Sequence, residues 1–413
     1  MNLVRGRRRK KVAVKLKDYE NITGSKVIEE VRLLGEKLKG YAVLHINSTA
    51  VGGGVVEILK SLLPLMRDAG LEPKWSVMKY DHDFFKVTKM FHNGLHGQQV
   101  MITSEMKEIY LAAAAQNRHL LEESADLVVI HDQQPLGLTA YRKGISRWIW
   151  YCHIDPIYAV PEVWSFISPK VCLCDLAVFH LAEYARNLPL LQYFMPPAID
   201  PLSDKNREVN LVEYKTILEK LDIDPGGPPV ILQVSRFDRL KDPAGVIQSF
   251  KLIRKNKDCR LILAGGGASD DPEGKAVLDE IRELADGQSG IRVIALNPDA
   301  DLEINVLQRR ADIIIQKSLR EGFGLTAAEA LWKSKPLVVT PTGGLVYQVL
   351  HGKTGLTART VEETAKQIVY LLEQPGFSNR LGAAGKEHVR KNFILPVYLL
   401  KWINLLLLLN ARR

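Results

Sequence analysis

Two glutamates, Glu321 and Glu329, stand eight residues apart in Arg320-Glu321-Gly322-Phe323-Gly324-Leu325-Thr326-Ala327-Ala328-Glu329. The apolar run Ala311-Asp312-Ile313-Ile314-Ile315-Gln316 precedes them and reads as a buried parallel strand. Strand, glycine-flanked turn and helix would bring a carboxylate and free backbone N–H groups to one point. A helix N-terminus attracts phosphate, and a carboxylate beside it can hold a sugar hydroxyl. The combination suits a sugar attached to a diphosphate. The alternatives are a general acid/base pair, or a turn residue and a helix-surface glutamate. Eight helical residues rotate by about 80° from one face, so distinct roles fit better than a paired-carboxylate hydrolase. Glu321 is expected to meet the sugar and Glu329 the nucleotide ribose.

A second loop, Ser235-Arg236-Phe237-Asp238-Arg239-Leu240-Lys241-Asp242, follows a strand and precedes a helix. Arg236 offers a planar fork to phosphate oxygens and Lys241 a point charge, so both could converge on one ligand. A solvated basic loop is the plainer reading. Gly52-Gly53-Gly54 follows the first strand and the polar stretch Asn47-Ser48-Thr49. Glycines there allow backbone N–H groups to approach an anion or a sugar, although a simple turn has the same composition. His131-Asp132 and His153-Ile154-Asp155 each end an apolar strand. They are suited either to hydrogen-bonding sugar hydroxyls or to a structural place in the core.

No metal site is expected. Asp299-Ala300-Asp301 has the D-x-D form but lies after Asn297-Pro298, and reads as a surface loop or helix cap. Asp270-Asp271-Pro272-Glu273-Gly274 reads as a turn. Without a metal, Arg236, Lys241 and the helix start at Gly324 must neutralise a leaving diphosphate.

The elements that position these residues alternate strand-like and helix-like along nearly the whole chain, which predicts an α/β fold with parallel sheets. Strands are expected at Tyr41–Ile46, Lys74–Met78, Asp126–His131, Trp148–Cys152 and Leu176–His180. Five more are expected at Pro229–Val234, Arg260–Ala264, Ile291–Ala295, Asp312–Gln316 and Pro336–Thr340. Helices fill the gaps, among them Val55–Ala69, where Pro64 should kink the helix or end it early. Met195-Pro196-Pro197-Ala198-Ile199-Asp200-Pro201 is a stiff connector. It divides the chain into a Rossmann-like domain over 12–196 and a second over 197–392. The two would face each other across a cleft, with ligands outside the carboxyl ends of the strands.

Composition is that of a globular protein of two ordinary domains: 413 residues, 46% apolar and 25% charged. The net charge of +9 is concentrated at the ends, in Arg5, Arg7, Arg8, Arg9, Lys10 and Lys11 and in Arg412 and Arg413. The body is close to neutral, so a solvated tail over 1–11 is expected and nucleic acid is not an expected partner. Cys152, Cys172, Cys174 and Cys259 lack metal-site spacing and read as core residues of a reducing, cytoplasmic protein. No secretory leader is evident, because Lys15, Lys17 and Asp18 interrupt any apolar stretch. The leucine-rich end, within 393–413, is too short to span a membrane. It is expected as a helix packed back on the N-terminal domain.

Taken together, E-G-F-G-L-T-x-x-E, the strand-R-F-x-x-x-K site and the early G-G-G loop resemble glycosyltransferase family 4, the retaining GT-B enzymes. The order of these motifs matches over almost the full chain. More narrowly, H-I-N-S-T-A-V-G-G-G-V at 45–55, H-D-Q-Q-P at 131–135 and W-Y-C-H-I-D at 150–155 look like the glycosyltransferring trehalose synthases. So do M-P-P-A-I-D-P-L-S-D-K-N at 195–206 and A-G-G-G-A-S-D-D-P-E-G at 264–274. The resemblance implies reversible transfer of glucose from a nucleoside diphosphate glucose, ADP- or UDP-glucose, to free glucose with retention. It implies a donor site of Arg236, Lys241, Gly53, Gly54, Gly322, Phe323, Gly324, Leu325, Thr326 and Glu329. Glu321 would hold the transferred glucose, His153 would contact the donor sugar, and Asn47, His131, Asp132, His153 and Asp155 would surround the acceptor. Glu321, Arg236, Lys241 and His153 would carry catalysis. No cofactor is implied beyond the donor itself, with magnesium at most a stimulator, and a homodimer is compatible.

Two departures stand out. Lys241-Asp242-Pro243 replaces the Lys-Gly common in the family, which puts an aspartate by the phosphate site that weakens the positive field there unless it points away or caps the next helix, and the run of five leucines near the end is atypical. The rival readings are the same donor with another acceptor, a sugar phosphate or glycerate, and a noncatalytic nucleotide-sugar or nucleic-acid binding protein.

Overall fold

A computed structural model describes residues 14–266 and 272–411. The expectations for the tail 1–11, for Asp270-Asp271 and for Arg412-Arg413 lie outside the described residues. Among the described residues, twelve strands form two six-stranded parallel sheets. The first holds β1 (Ala42–Asn47), β2 (Glu72–Val77), β3 (Leu127–His131), β4 (Arg147–Cys152), β5 (Leu176–Phe179) and β6 (Leu191–Phe194). The second holds β7 (Val230–Val234), β8 (Arg260–Gly265), β9 (Ile291–Ala295), β10 (Ile313–Gln316), β11 (Leu337–Val339) and β12 (Leu356–Thr357).

The strand orders are β2-β1-β3-β4-β5-β6 and β12-β11-β10-β7-β8-β9. The second is the dinucleotide-fold order read from the opposite edge. Winding reverses between β1 and β3 in one sheet and between β7 and β10 in the other. A crevice forms at the carboxyl ends beside each reversal. The glycine loop follows β1 and His131-Asp132 end β3. The Arg236–Lys241 loop follows β7, and the Glu321 turn follows β10. Topology therefore brings all four motifs to the two switch points.

β3, β7 and β10 are buried along their whole lengths because helices cover both faces. Side-chain alternation divides each strand between two cores: Val43, Leu127 and Val129 face one, and Leu44, Val128 and Ile130 the other. The helix Leu395–Asn410 places Tyr398, Leu399, Trp402, Ile403 and Leu406 in the first of these cores. The leucine run is thus an integral wall of the first domain. The chain crosses between domains twice, side by side. Ile199 of the proline-rich connector pairs with Ile394 just before that helix, through Ile199 N to Phe393 O (2.9 Å) and Leu395 N to Ile199 O (3.0 Å).

Pro64 does not end its helix, which runs unbroken over Gly54–Asp68. Leu62, Leu63, Leu65 and Met66 on either side of it are buried, and that packing outweighs the lost hydrogen bond. The short edge strands β6 and β12 have no counterpart in the sequence reading. Both are too brief for an apolar run to reveal. No helix among the described residues is long and apolar enough to cross a membrane.

Candidate functional site

The helix Leu325–Trp332 begins at Gly324, in the left-handed conformation (φ 84°), with no side chain capping its first N–H groups. Across the cleft, the helix Gly54–Asp68 also begins at a positive-φ glycine, Gly53 (φ 81°), without a side-chain cap. The two starts meet: a Cβ on Gly54 would lie 3.2 Å from Leu325 Cδ1. Two positive helix ends thus converge from opposite domains.

Beside them, Glu321 is buried and its Oε2 accepts from Lys241 Nζ (2.8 Å) and Ser318 Oγ (3.0 Å). Lys241 ends a short 3-10 turn that Asp238 caps through Leu240 N (2.9 Å). Leu319 N donates to Leu240 O (2.8 Å), which ties the loop after β7 to the loop after β10. Arg236 is largely exposed and pairs with Asp238 (3.3 Å). Asp242 is diverted from the site. It sits in the left-handed region (φ 47°), caps the helix Pro243–Arg254 through Gly245 N (3.0 Å) and pairs with Lys317. Its charge is therefore neutralised locally.

Glu329 is fully buried and shares no partner with Glu321. Its carboxylate lies 3.4 Å from Gln308 Nε2 and 3.8 Å from Lys205 Nζ. Lys205 also pairs with Glu57 of the first domain and with Asp301 (3.6 Å). Burial opposes the charge on Lys205, but Glu329, Glu57 and Asp301 outweigh it and raise its proton affinity. Burial pushes the Glu57 carboxyl up to about 7 against the pull of Lys205. Asp301, the second aspartate of the D-x-D, opens the helix Asp301–Arg310. Among the described residues there is no cluster of three or more His, Cys, Asp or Glu able to hold a metal.

The acceptor-side candidates gather at the ends of β1, β3 and β4 but are largely tied to one another. Asn47 donates to Thr49 O (2.7 Å) and accepts from Trp75 Nε1 (2.8 Å). Asp132 holds an unusual φ of 61°, accepts from His153 N (2.7 Å), and is pushed up to about 7 by burial. Asp155 accepts from Ile157 N (3.0 Å), and burial raises its pKa above the usual range. Both ring nitrogens of His131 and of His153 face other histidines.

Several residues at the site carry no motif that marks them in the sequence. Tyr184 Oη, from the first domain, lies 2.8 Å from both Glu321 O and Gly322 O and shares its one proton between them. A Cβ on Gly322 would lie 2.5 Å from His153 O, so the domains touch backbone to backbone there. Gly343 and Gly344 pack under the Glu321 turn, where added Cβ atoms would lie 1.7 Å from Glu321 O and 2.5 Å from Phe323 Cα. Thr342-Gly343-Gly344 after β11 is the one signal that could have pointed to this support. His92 and His96, on and just past the helix His82–Leu95, are held neutral first by burial. The charges of Arg236 and Lys241 oppose their protonation further.

Residues 45–186 match the family model described as "Trehalose synthase, N-terminal domain", and residues 216–388 match "Glycosyl transferases group 1". The chain is 41% identical over 404 residues to a trehalose synthase of Pyrococcus horikoshii, covering 95% of this chain and 96% of that protein. It is 40% identical over 392 residues to a trehalose synthase of Rubrobacter xylanophilus, covering 92% and 94%. Among solved structures, the UDP-forming α,α-trehalose-phosphate synthase of Burkholderia xenovorans in complex with glucose-6-phosphate superposes with a TM-score of 0.73. Identity is 14%, over 89% of this chain and 100% of that one. An Escherichia coli protein bound with UDP-2-fluoro glucose superposes with a TM-score of 0.72 at 14% identity, over 88% and 98%. Two Rossmann-like domains meeting over facing glycine-started helices, with these relatives, establish that the chain belongs to the trehalose synthase family of GT-B glycosyltransferases.

Proposed function

We propose that the protein transfers glucose from a nucleoside diphosphate glucose to free glucose with retention, forming trehalose reversibly. The observation that carries this reading is the pair of uncapped helix starts at Gly53-Gly54 and Gly324-Leu325, converging beside Lys241 and Glu321. An anionic diphosphate fits between two such helix ends. The nucleotide sugar named for the Escherichia coli neighbour is of the same chemical class.

In this reading Lys241 and Arg236 bind the diphosphate, Glu321 binds hydroxyls of the transferred glucose and Glu329 binds the ribose. The bond from the anomeric carbon to the phosphate oxygen breaks. A bond to the acceptor's anomeric oxygen forms on the same face, and the acceptor hydroxyl proton passes to the departing phosphate. Glu321 accepts from Lys241 and Ser318, so it serves as a charged grip and not as a free nucleophile. Arg236, Lys241 and two helix ends supply positive potential where negative charge develops, which leaves magnesium at most a stimulator. Closure of the domains excludes water that would otherwise hydrolyse the donor.

Glucose suits the acceptor side better than a sugar phosphate does. His131 and His153 are held neutral by burial, and Asp132 is pushed up to about 7, so these candidates bring no cation for a phosphate. We take the setting to be cytoplasmic, where four unpaired cysteines stay reduced. The test is to incubate the protein with ADP-, UDP- or GDP-glucose plus glucose or glucose 6-phosphate, and to identify the product by NMR. An α,α-1,1 disaccharide from free glucose supports the reading. A phosphorylated product alone, or no transfer at all, overturns it.

A further inference from the structure

Four histidines from four adjacent strand ends form an unbroken file. His45 lies in β1 and His131 at the end of β3, while His153 and His180 lie just past β4 and β5. His45 Nδ1 is 3.0 Å from His131 Nε2, His131 Nδ1 is 2.9 Å from His153 Nε2, and His153 Nδ1 is 3.1 Å from His180 Nε2. Tyr151 stacks on the His153 ring at 4.1 Å, and its own hydroxyl is anchored on Met195 O (2.6 Å). The file is therefore held from the side as well as along its length.

Each contact needs one proton between its two nitrogens, and a neutral imidazole carries one. Burial disfavours charge on all four rings and lowers the proton affinity of each. Four neutral rings can satisfy the contacts in only two ways. Either every ring is protonated on Nδ1, which leaves His180 Nδ1–H as the end donor, or every ring is protonated on Nε2, which leaves His45 Nε2–H. No ring can change tautomer alone.

The two ends differ. His45 Nε2 is buried with no hydrogen-bond partner and faces Trp402 edge-on, with ring centroids 5.6 Å apart. His180 Nδ1 likewise makes no hydrogen bond, and the Gly322 backbone only partly offsets the lowering of this ring's proton affinity by burial. Phe323 closes over the same ring at 6.1 Å. Gly322 and Phe323 belong to the second domain's Glu321 turn.

We propose that the file is a tautomer lock on His153: its three contacts hold all four rings in one common tautomer, with one end of the file resting on the second domain at Phe323. His45, His131 and His180 are positioning residues that act through His153. Switching between the two forms needs a proton to leave at one end of the file and another to enter at the other, and the His45 end is sealed. The file therefore holds a state and does not conduct protons. A sugar hydroxyl that bonds to the His153 ring must displace His131 or His180, so the file governs when that ring is available. Only this last step rests on the glucosyl-transfer reading; the ring state does not.

The test is ¹⁵N NMR of the full chain with labelled histidine, without substrate. All four rings should show the same neutral tautomer, and none should titrate between about pH 5 and 8. Mixed tautomers within the file, or His153 titrating as a free imidazole, overturn the proposal. His180→Phe should leave cooperative unfolding intact and shift the His153 ring ¹⁵N resonances, because His153 Nδ1 loses its partner. It should lower kcat by about tenfold, with donor KM changed less than twofold. His131→Asn keeps an amide at the Nδ1 position, so it should retain more activity than His131→Leu. Unchanged His153 ¹⁵N shifts in both His180→Phe and His131→Leu would overturn the lock, whatever disaccharide the enzyme makes.

Discussion

Lys241 Nζ lies 2.8 Å from Glu321 Oε2, so the cationic loop after β7 and the carboxylate turn after β10 are joined by a charge pair at the second sheet's switch point. Both residues are buried enough for the pair to matter, with side chains 17% and 10% exposed. The loops cannot move independently while the pair holds. In the proposed function, a diphosphate bound at Lys241 would compete with Glu321 for that cation and free the carboxylate for sugar hydroxyls.

Glu321→Ala is expected to cut kcat by about 10²-fold or more while changing donor Kd by less than about fivefold. Steady-state kinetics combined with donor titration calorimetry separates the two. Near-normal turnover would remove Glu321 from the reacting sugar.

Lys241→Ala and Arg236→Ala are expected to weaken donor binding and rate together, each by about 10- to 100-fold in kcat/KM. The Lys241 change should be the more severe, because it also leaves the buried Glu321 without its cation. Unchanged kinetics in both variants would show that the loop serves only the fold.

Gly343 supports the site by close approach, since a Cβ there would lie 1.7 Å from Glu321 O and its φ is already 50°. Gly343→Ala is expected to lower stability by about 2–3 kcal/mol and to reduce kcat, because relief requires moving the Glu321 backbone. Gly376, near the start of the helix Pro375–Asn392, has open space around it. Gly376→Ala should be neutral or stabilising by up to about 1 kcal/mol. Denaturant melts of the two variants check the contrast; equal effects would discount the packing argument.

Acid should destabilise the fold through its buried histidines. His45 and His180 are lowered to about 3 and His96 to about 4, all by burial first, and His92, His131 and His153 also fall well below the usual value. The unfolded chain binds more protons than the native state below about pH 6.5, so stability present at neutral pH is lost as pH falls toward 3. Each such histidine contributes a slope of about 1.4 kcal/mol per pH unit. Asp132 and Glu57, both raised to about 7, act oppositely and stabilise the protonated native state as pH falls. The histidines outnumber them, so the net slope is acid-labile. Unfolding free energies at several pH values should fall on acidification, and His131→Asn should flatten that fall. Identical slopes would contradict the assignment.

The parallel sheets were legible because continuous Val/Ile runs such as Ile313-Ile314-Ile315 have one good solution, a strand covered on both faces. The motif loops were legible because they fall where such strands end, and in a parallel sheet those ends share one side. For Asp242 the sequence left open whether it weakens the phosphate site or caps the next helix; the structure shows the cap, and its pairing with Lys317, from the loop after β10, had no sequence signal because the partner is 75 residues away. Glu57 and Lys205 were missed for a related reason. A charge 148 positions from its partner has no local signature, and its meaning appears only when burial makes it costly.

By itself the sequence determined the α/β class and the two Rossmann-like halves, and it offered the residue types that the proposed function needs to grip a sugar diphosphate. Those properties follow from local periodicity and from chemistry carried within short segments. Only the tertiary structure decided which residues share a partner: Glu321 with Lys241, Glu329 with Lys205, and four histidines with one another. Those pairings arise where strands distant in sequence are adjacent in the sheet and where the two domains close, and neither adjacency leaves a periodic trace along the chain.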